Sequence, residues 1–181
     1  MAILPITVYG DKILREKAKP IKEVTNKTID HIKDMFHTMR NANGIGLAAN
    51  QVGLPDSIFV IDLSIVEGWE KTKPVAMINP KILEESDEQI ILEEGCLSLP
   101  NIRADVERPE KIRIQYMDAD EKEHIIEVDD LFARVILHEY DHLIGKMIPD
   151  RVKSRIKKKL QGSLKDIMNR EIEIDYPITE L

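Results

Sequence analysis

The feature that most constrains this chain is a pair of histidines four residues apart, His138 and His142, with Glu139 directly after the first. Leu131 and Val135 continue the same spacing upstream, which predicts that all four lie along one stripe of a helix. Two imidazoles on one helical face can bind a single metal ion, and a glutamate beside the first can handle protons on bound water. The alternative is a chance pair of core or surface histidines.

Helical spacing also appears near both ends of the chain. Residues 26–42 predict an amphipathic helix that Thr25 or Asn26 caps, residues 129–143 predict the histidine helix, and a last helix is expected to start near Asp150. Short β-branched segments predict strands at Ser57–Asp62, Val75–Asn79, Gln89–Leu92, Lys111–Met117 and His124–Val128. This order, with strands grouped between helices, predicts an α+β fold.

Length and composition limit the remaining possibilities. The 181 residues suit one domain spanning 1–181. The chain has one cysteine, so no intramolecular disulfide is possible, and it has no apolar run of the ~20 residues that a membrane helix needs. Without a recognisable signal peptide, we expect a cytoplasmic protein with no membrane partner and no disulfide partner. Residues 63–74 are expected to form a surface loop.

Charge is distributed unevenly. The net charge of −7 argues against general nucleic-acid binding, yet eight Lys or Arg and one Asp lie between Arg151 and Arg170. A solvated face of the terminal helix accounts for this region. The alternative is a docking site for an anionic partner such as RNA, in which case the chain would be a non-catalytic binding module.

A catalytic metal site usually has three protein ligands, so a third must be found. In one protease class the motif continues to a third histidine, but Ile148 stands at that position here. A metallopeptidase that uses Glu171 or Glu173 remains a rival interpretation. The stronger candidate is Cys96, because a thiolate binds borderline divalent metals well. The alternative is that Cys96 is a small, buried hydrophobic residue without a role in metal binding.

Glycines mark two further segments. Gly44 and Gly46 begin a small-residue segment that ends at Gln51, whose neutral amide suits an oxyanion. Gly95 directly precedes Cys96, where it permits an unusual backbone angle or a close approach. The first segment lacks the Lys-Ser/Thr of a phosphate loop, so we do not expect it to bind phosphate.

Three blocks, taken together and in order, resemble the peptide deformylase family. They are G-x-G-x-A-A-x-Q at Gly44–Gln51, E-G-C-x-S at Glu94–Ser98 and H-E-x-D-H at His138–His142. The resemblance covers nearly the whole chain. It implies a hydrolase of protein biosynthesis that removes the formyl group from the N-terminal formylmethionine of new polypeptides and releases formate. It also implies antiparallel sheets packed around the metal helix, between an N-terminal helix and the basic C-terminal helix at 150–170.

The resemblance further implies the chemistry of the site. Three residues would ligate one divalent metal ion, namely Cys96, His138 and His142. The ion would be Fe²⁺ in the cell, and Zn²⁺, Ni²⁺ or Co²⁺ would replace it. Metal-bound hydroxide would attack the formyl carbonyl, with Glu139 as general acid/base and with the Gln51 side chain and the Leu97 backbone N–H as oxyanion donors. The resemblance also favours the interpretation that the basic C-terminal helix docks on the ribosome.

The remaining candidates are residues expected to contact the substrate. They are Gly44, Ile45, Gly46, Leu92, Glu94, Gly95, Arg103, Leu131 and Val135. Leu131 fits an ordinary core position equally well, and Arg103 fits either a contact with the substrate backbone or an exposed strand position. Asp141 fits either an acceptor that orients a ligand histidine or a salt bridge to a neighbouring strand.

Overall fold

The computed structural model describes all 181 residues, as three α-helices, seven strands and three short 3₁₀ turns. The helices are α1 (Asn26–Asn41), α2 (Asp130–Leu143) and α3 (Ser154–Met168). The strands are β1 (Gly46–Ala48), β2 (Ile58–Ile61), β3 (Val75–Glu85), β4 (Gln89–Cys96), β5 (Leu99–Pro109), β6 (Lys111–Met117) and β7 (Glu123–Asp129). The 3₁₀ turns are Lys12–Arg15, Ala49–Val52 and Ile148–Asp150.

Helix α1 begins where its sequence predicts. Thr25 Oγ1 accepts from the Thr28 N–H at 3.3 Å, and Thr28 Oγ1 accepts from the Thr25 N–H at 3.2 Å. This reciprocal capping satisfies N–H groups that have no partner within the helix. Ile32, Met35 and Met39 recur on one face and are buried against β1 and β2.

All strand pairs within the sheets are antiparallel. One sheet has five strands in the order β1-β2-β3-β6-β7, and a second consists of β4 and β5. In β6, Ile112, Ile114 and Tyr116 are buried and alternate with less buried polar residues, as predicted from the period of two. The predicted α+β class is confirmed.

Helix α2 lies at the centre of the molecule. Ala133, Ile136 and Leu137 are buried in one cluster with Phe59 of β2 and Met77 of β3. The opposite side of α2 meets β5, which belongs to the second sheet. The helix that bears the histidine motif is therefore fixed between the two sheets.

Two strands and several boundaries differ from the prediction. Strand β3 continues to Glu85 rather than ending at Asn79, and β4 continues to Cys96 rather than ending at Leu92. Strands β1 and β5 were not predicted. In β5 the alternation is clear in three dimensions, but Pro100 and Asn101 resemble a turn, and the charged Arg108 occupies an inward position. The last helix begins at Ser154 rather than near Asp150, because Asp150 belongs to a separate 3₁₀ turn and accepts from the Met147 N–H at 2.9 Å. No helix is both long and apolar enough to cross a membrane.

Candidate metal centre

Three soft or borderline donor atoms converge between β4 and α2. Cys96 ends β4, and its Sγ lies 3.3 Å from Nε2 of His142. Nε2 of His142 lies 3.3 Å from Nε2 of His138, one helical turn earlier. The three form the one group of metal-capable side chains in the structure, with all ligand atoms within 4.8 Å of one another. Neither Glu171 nor Glu173 belongs to that group.

The spacing of these atoms fits one metal ion. In a tetrahedral site with metal–nitrogen bonds of ~2.05 Å and a metal–sulfur bond of ~2.3 Å, nitrogens lie ~3.3 Å apart and sulfur lies ~3.6 Å from nitrogen. Burial lowers the pKa of His142, which keeps its imidazole neutral as a ligand must be. Burial also disfavours a charge on His138, but the neighbouring Cys96 and Glu94 outweigh it and raise the pKa of His138. The same two partners would favour a metal cation in place of that proton.

The orientation of His138 is fixed by Glu94 on β4. Oε2 of Glu94 lies 2.9 Å from Nδ1 of His138, so an N–H at Nδ1 leaves Nε2 free to bind metal. Arg108 donates to both oxygens of the same carboxylate, at 2.6 and 3.0 Å, and Arg134 donates to Oε1 at 2.9 Å. Burial alone would raise the pKa of Glu94, but its bonds to His138 and Arg108 hold that pKa well below its usual range.

This arrangement changes the prediction for Glu94. Its side chain is 6% exposed, and both carboxylate oxygens already bond to protein groups. Although Glu94 borders the cavity described below, it contacts a histidine and two arginines rather than offering a free group to substrate.

Of the two interpretations of Asp141, the structure shows the salt bridge to a neighbouring strand. Its Oδ2 accepts from Arg108 on β5 at 2.8 Å and from Nε of Arg151 at 2.9 Å, and Arg151 also pairs with Oδ1. No ring nitrogen of a histidine bonds to it. Arg108 thus joins two buried carboxylates, one on β4 and one on α2, and ties the cysteine strand to the histidine helix.

Gln51 lies on the 3₁₀ turn after β1, with its amide aimed at the centre. Its Oε1 accepts from the Ala48 N–H at 2.8 Å, which fixes the direction of the amide. Its Nε2 donates to Ser98 Oγ at 3.1 Å and lies 3.6 Å from Cys96 Sγ. The amide N–H groups of Gln51 therefore lie beside the three metal-capable side chains.

Glu139 is buried with one oxygen unsatisfied. Its side chain is 3% exposed, and Oε2 has no hydrogen-bond partner. Burial raises the pKa of Glu139 to about 7, although the positive charge of His138 opposes this. A methyl group at Gly46 would lie 2.9 Å from Cδ of Glu139 and 2.9 Å from Cγ1 of Val135. A residue larger than glycine at position 46 would therefore clash with Glu139 and Val135.

A cavity of about 880 Å³ opens onto this centre. Most of the predicted contact residues line it, namely Gly44, Ile45, Gly46, Gln51, Gly95, Cys96, Leu97, Arg103, Leu131, Val135, His138 and Glu139. Leu131 and Val135 contribute both to the cavity wall and to the core cluster of α2. The side chain of Arg103 is 68% exposed at the rim, 3.9 Å from Glu93. Gly95 has neither a positive φ nor a crowded Cβ position, since its nearest neighbour there is Arg103 at 3.5 Å.

Leu92 lies outside this cavity. It is 40% exposed on β4 and is not among the residues that line the cavity, and its contact with substrate stays a prediction. The three other histidines, His31, His37 and His124, also lie outside the metal-capable group. His124, for example, bonds through Nε2 to Asp118 at 2.6 Å.

Sequence reasoning missed several residues around the centre. Arg108 and Arg134 were overlooked, although Arg134 precedes His138 by one helical turn, and Arg108 stands at an inward position of the unpredicted β5. Ser98, the partner of Gln51, and Tyr176 near the C-terminus were missed as well. No local pattern points to Tyr176, because its position depends on how the end of the chain folds back.

Comparison with known proteins agrees with this site. The family model for polypeptide deformylase matches residues 3–158. A peptide deformylase of Chlorobium phaeobacteroides (strain BS1) is 47% identical over 176 residues, covering 97% of this chain and 95% of that protein. One of Prosthecochloris aestuarii is 44% identical over 179 residues, covering 99% and 96%.

Solved structures show the same likeness. The crystal structure of peptide deformylase from Ehrlichia chaffeensis superposes with a TM-score of 0.85 at 31% identity, covering 94% of this chain and 97% of that one. The enzyme from Thermotoga maritima gives 0.79 at 38% identity, covering 84% and 99%.

Fold and site together define a metal-dependent hydrolase built from helices and antiparallel sheets. Within that class, the chain belongs to the polypeptide deformylase family. It is a hydrolase that acts on a formyl amide, in the service of protein biosynthesis. The sequence resemblance is thereby confirmed.

Proposed function

We propose that this chain removes the formyl group from N-formylmethionine at the start of nascent polypeptides, at a single divalent cation held by Cys96, His138 and His142. The observation that carries this proposal is the convergence of these three donors beside the unpartnered carboxylate oxygen of Glu139. The donor set suits Fe²⁺, Zn²⁺, Ni²⁺ or Co²⁺, and the supply in the cell decides among them. We propose Fe²⁺ as the native ion.

Glu139 is the proposed general acid/base. A divalent cation at such a site lowers the pKa of bound water and polarises the carbonyl of the substrate. Glu139 lines the cavity directly after His138, where its carboxylate can accept a proton from water and return it to the leaving amine. Its buried, unbonded Oε2 is free to take that proton.

The proposed oxyanion donors are Nε2 of Gln51 and the backbone N–H of Leu97. The Gln51 amide is held in direction by its bond to Ala48. The Leu97 N–H donates to no protein atom, which leaves it available to a substrate oxygen. Donors fixed before the reaction stabilise developing charge without reorganisation, and losing one typically costs ~2.7–4 kcal/mol.

The methionine side chain requires an apolar surface next to the centre. Ile45, Leu131 and Val135 provide it in the cavity wall. Gly44 and Gly46 leave room for the substrate backbone, because a methyl group at Gly44 would lie 2.8 Å from Cδ1 of Leu97. Gly95 and Arg103 also line the cavity, and the exposed guanidinium of Arg103 can donate to carbonyl groups of the peptide.

We also propose that α3 docks on the ribosome, where nascent chains emerge, and that the protein works in the cytosol. Of the eight basic residues between 151 and 170, Arg151 and Arg170 pair with Asp141 and Asp11 inside the molecule. The other six are exposed, and their positive charge suits ribosomal RNA.

Two variants test the assignment of ligands and base. Cys96→Ala should lose stoichiometric metal and formate release together, whereas Glu139→Ala should retain metal and lose turnover. His124→Ala serves as the control, because this histidine bonds to Asp118 outside the cavity and should change neither property. If Cys96→Ala keeps both metal and activity, the proposed ligand set is refuted, and a carboxylate-ligated peptidase site becomes the better interpretation.

A further inference from the structure

The loop that contains Leu97 has an unusual geometry for its length. Leu97 and Ser98 form a two-residue turn between Cys96 and Leu99, whose Cα atoms are strand partners. Two-residue hairpin turns normally have a positive φ at their first central residue, which matches the twist of the strands. Neither Leu97 nor Ser98 has a positive φ. The hairpin is irregular at this end, because the register shifts between Gly95 and Cys96 and Asn101 of β5 has a φ of 60°. Contacts from outside the hairpin can hold such an irregular turn in place.

Other segments supply that support. Ser98 is held through its hydroxyl by Nε2 of Gln51 at 3.1 Å and through its carbonyl by the Tyr9 N–H at 2.9 Å. The Leu97 carbonyl belongs to the central peptide of the turn, and the Leu97 N–H belongs to the peptide before it. A bond that holds the carbonyl therefore restrains the backbone torsion angles of Leu97, which relate the directions of the two groups. The Leu97 carbonyl accepts one hydrogen bond, from the hydroxyl of Tyr176 at 2.8 Å.

Tyr176 is presented by an extended segment that we name the C-terminal strap, residues 171–179. Pro177 O accepts from the Ile6 N–H at 2.9 Å, and the Thr179 N–H donates to Ile6 O at 3.0 Å. The Thr179 hydroxyl donates to Asp11 at 2.6 Å. Half-buried and exposed residues alternate along the strap, and Tyr176 is on the half-buried side. The strap is therefore anchored to the N-terminal segment at Ile6 and Asp11, and Tyr176 lies in the cavity wall.

The phenol remains a hydrogen-bond donor across the working pH range. Burial raises the pKa of Tyr176 above its usual value, and the nearby Cys96 raises it further. The hydroxyl hence stays protonated while the enzyme is active.

We propose that Tyr176 is a positioning residue of the active site: its hydroxyl fixes the Leu97–Ser98 turn so that the Leu97 N–H stays directed at the substrate oxygen. This inference rests on the oxyanion role proposed above for that N–H. It assigns a function in the reaction to the C-terminal strap, which lies outside the span that the family model matches.

Tyr176→Phe tests the proposal because it removes the hydroxyl and keeps the ring. From the usual contribution of one hydrogen bond, we expect Tyr176→Phe to lower kcat per bound metal roughly 3- to 10-fold. KM should be unchanged, because the interaction stabilises the transition state and not the bound substrate. Tyr116→Phe is the matched control: the Tyr116 hydroxyl takes part in no hydrogen bond, and its removal should leave kcat unchanged. Ending the chain after Arg170 should lower kcat at least as much as Tyr176→Phe.

A second measurement does not depend on turnover. In nuclear magnetic resonance spectra, Tyr176→Phe should shift the Leu97 carbonyl carbon and broaden the Leu97 and Ser98 amide signals, while the rest of the spectrum is retained. A kcat within twofold of the wild type, a change in KM alone, or unchanged Leu97 signals would each overturn the inference. If instead the wild type releases no formate, the proposed function fails, and the spectra still decide whether Tyr176 holds the turn.

Discussion

Replacing Glu139 with glutamine should increase the stability of the metal-free protein while abolishing turnover. A carboxylate that is 3% exposed, with one oxygen unbonded, is poorly solvated when ionised. Burial raises its pKa from an ordinary 4.5 to about 7. Since each pKa unit is worth about 1.4 kcal/mol, ionised Glu139 lowers the free energy of unfolding by about 3 kcal/mol.

The pH dependence of this effect has a definite sign. Below pH 4.5 the carboxyl is protonated in both the folded and the unfolded chain and contributes nothing. Between pH 4.5 and about 7 the folded protein keeps a proton that the unfolded chain has lost, so Glu139 lowers stability progressively as pH rises. Above about pH 7 the full penalty applies. Glutamine is neutral throughout and avoids it.

Urea unfolding of chelator-treated protein between pH 4 and pH 9 measures this directly. Glu139→Gln and the wild type should be nearly equal in stability at pH 4, and the variant should be about 3 kcal/mol more stable at pH 8 and above. Glu171→Gln, at an exposed position, is the control and should follow the wild type at every pH. A difference that does not grow between pH 5 and pH 8 would refute the argument that burial tunes this carboxyl.

Three other substitutions probe the support of the site. Gly46→Ala should lower kcat/KM more than tenfold, because the added methyl group displaces Glu139, at a cost in unfolding free energy of about 1–3 kcal/mol measured in urea. Arg108→Met should destabilise the fold by about 1–3 kcal/mol in thermal or urea unfolding, because Glu94 and Asp141 each lose one buried guanidinium donor and keep only Arg134 and Arg151 as cationic partners. Glu94→Gln should weaken metal binding by about 10- to 100-fold in chelator competition, because His138 loses its charged acceptor. Metal affinity equal to the wild type would remove Glu94 from that role.

The sequence was most informative where one element carries the whole signal. The spacing of His138 and His142 predicts the helix, the shared face and the metal-binding chemistry, because all three depend on the local helical period. The cap of α1 at Thr25 and the alternation in β6 were predictable for the same reason. The role of Cys96 was harder to predict, because it lies 42 residues before the first histidine. Its block indicates a metal ligand only when it is considered together with the other two blocks.

What the sequence could not predict depends on contacts between distant segments. The ion pairs of Arg108 form only when β5 lies against both β4 and α2. A charged residue at an inward position also interrupts the alternation of apolar and polar residues by which β5 could have been predicted. Glu94 is predicted among the substrate contacts, whereas its side-chain partners come from two other elements. Tyr176 depends on the path of the last residues, which no local periodicity specifies.

The central claim is that this chain removes the formyl group from an N-terminal formylmethionine. Formate and acetate release should be measured with protein purified without oxygen, using formyl-Met-Ala-Ser and acetyl-Met-Ala-Ser under identical conditions. We predict rapid release of formate from the first peptide and little or no release of acetate from the second. Equal rates with both peptides, or no formate from the first, would contradict the account.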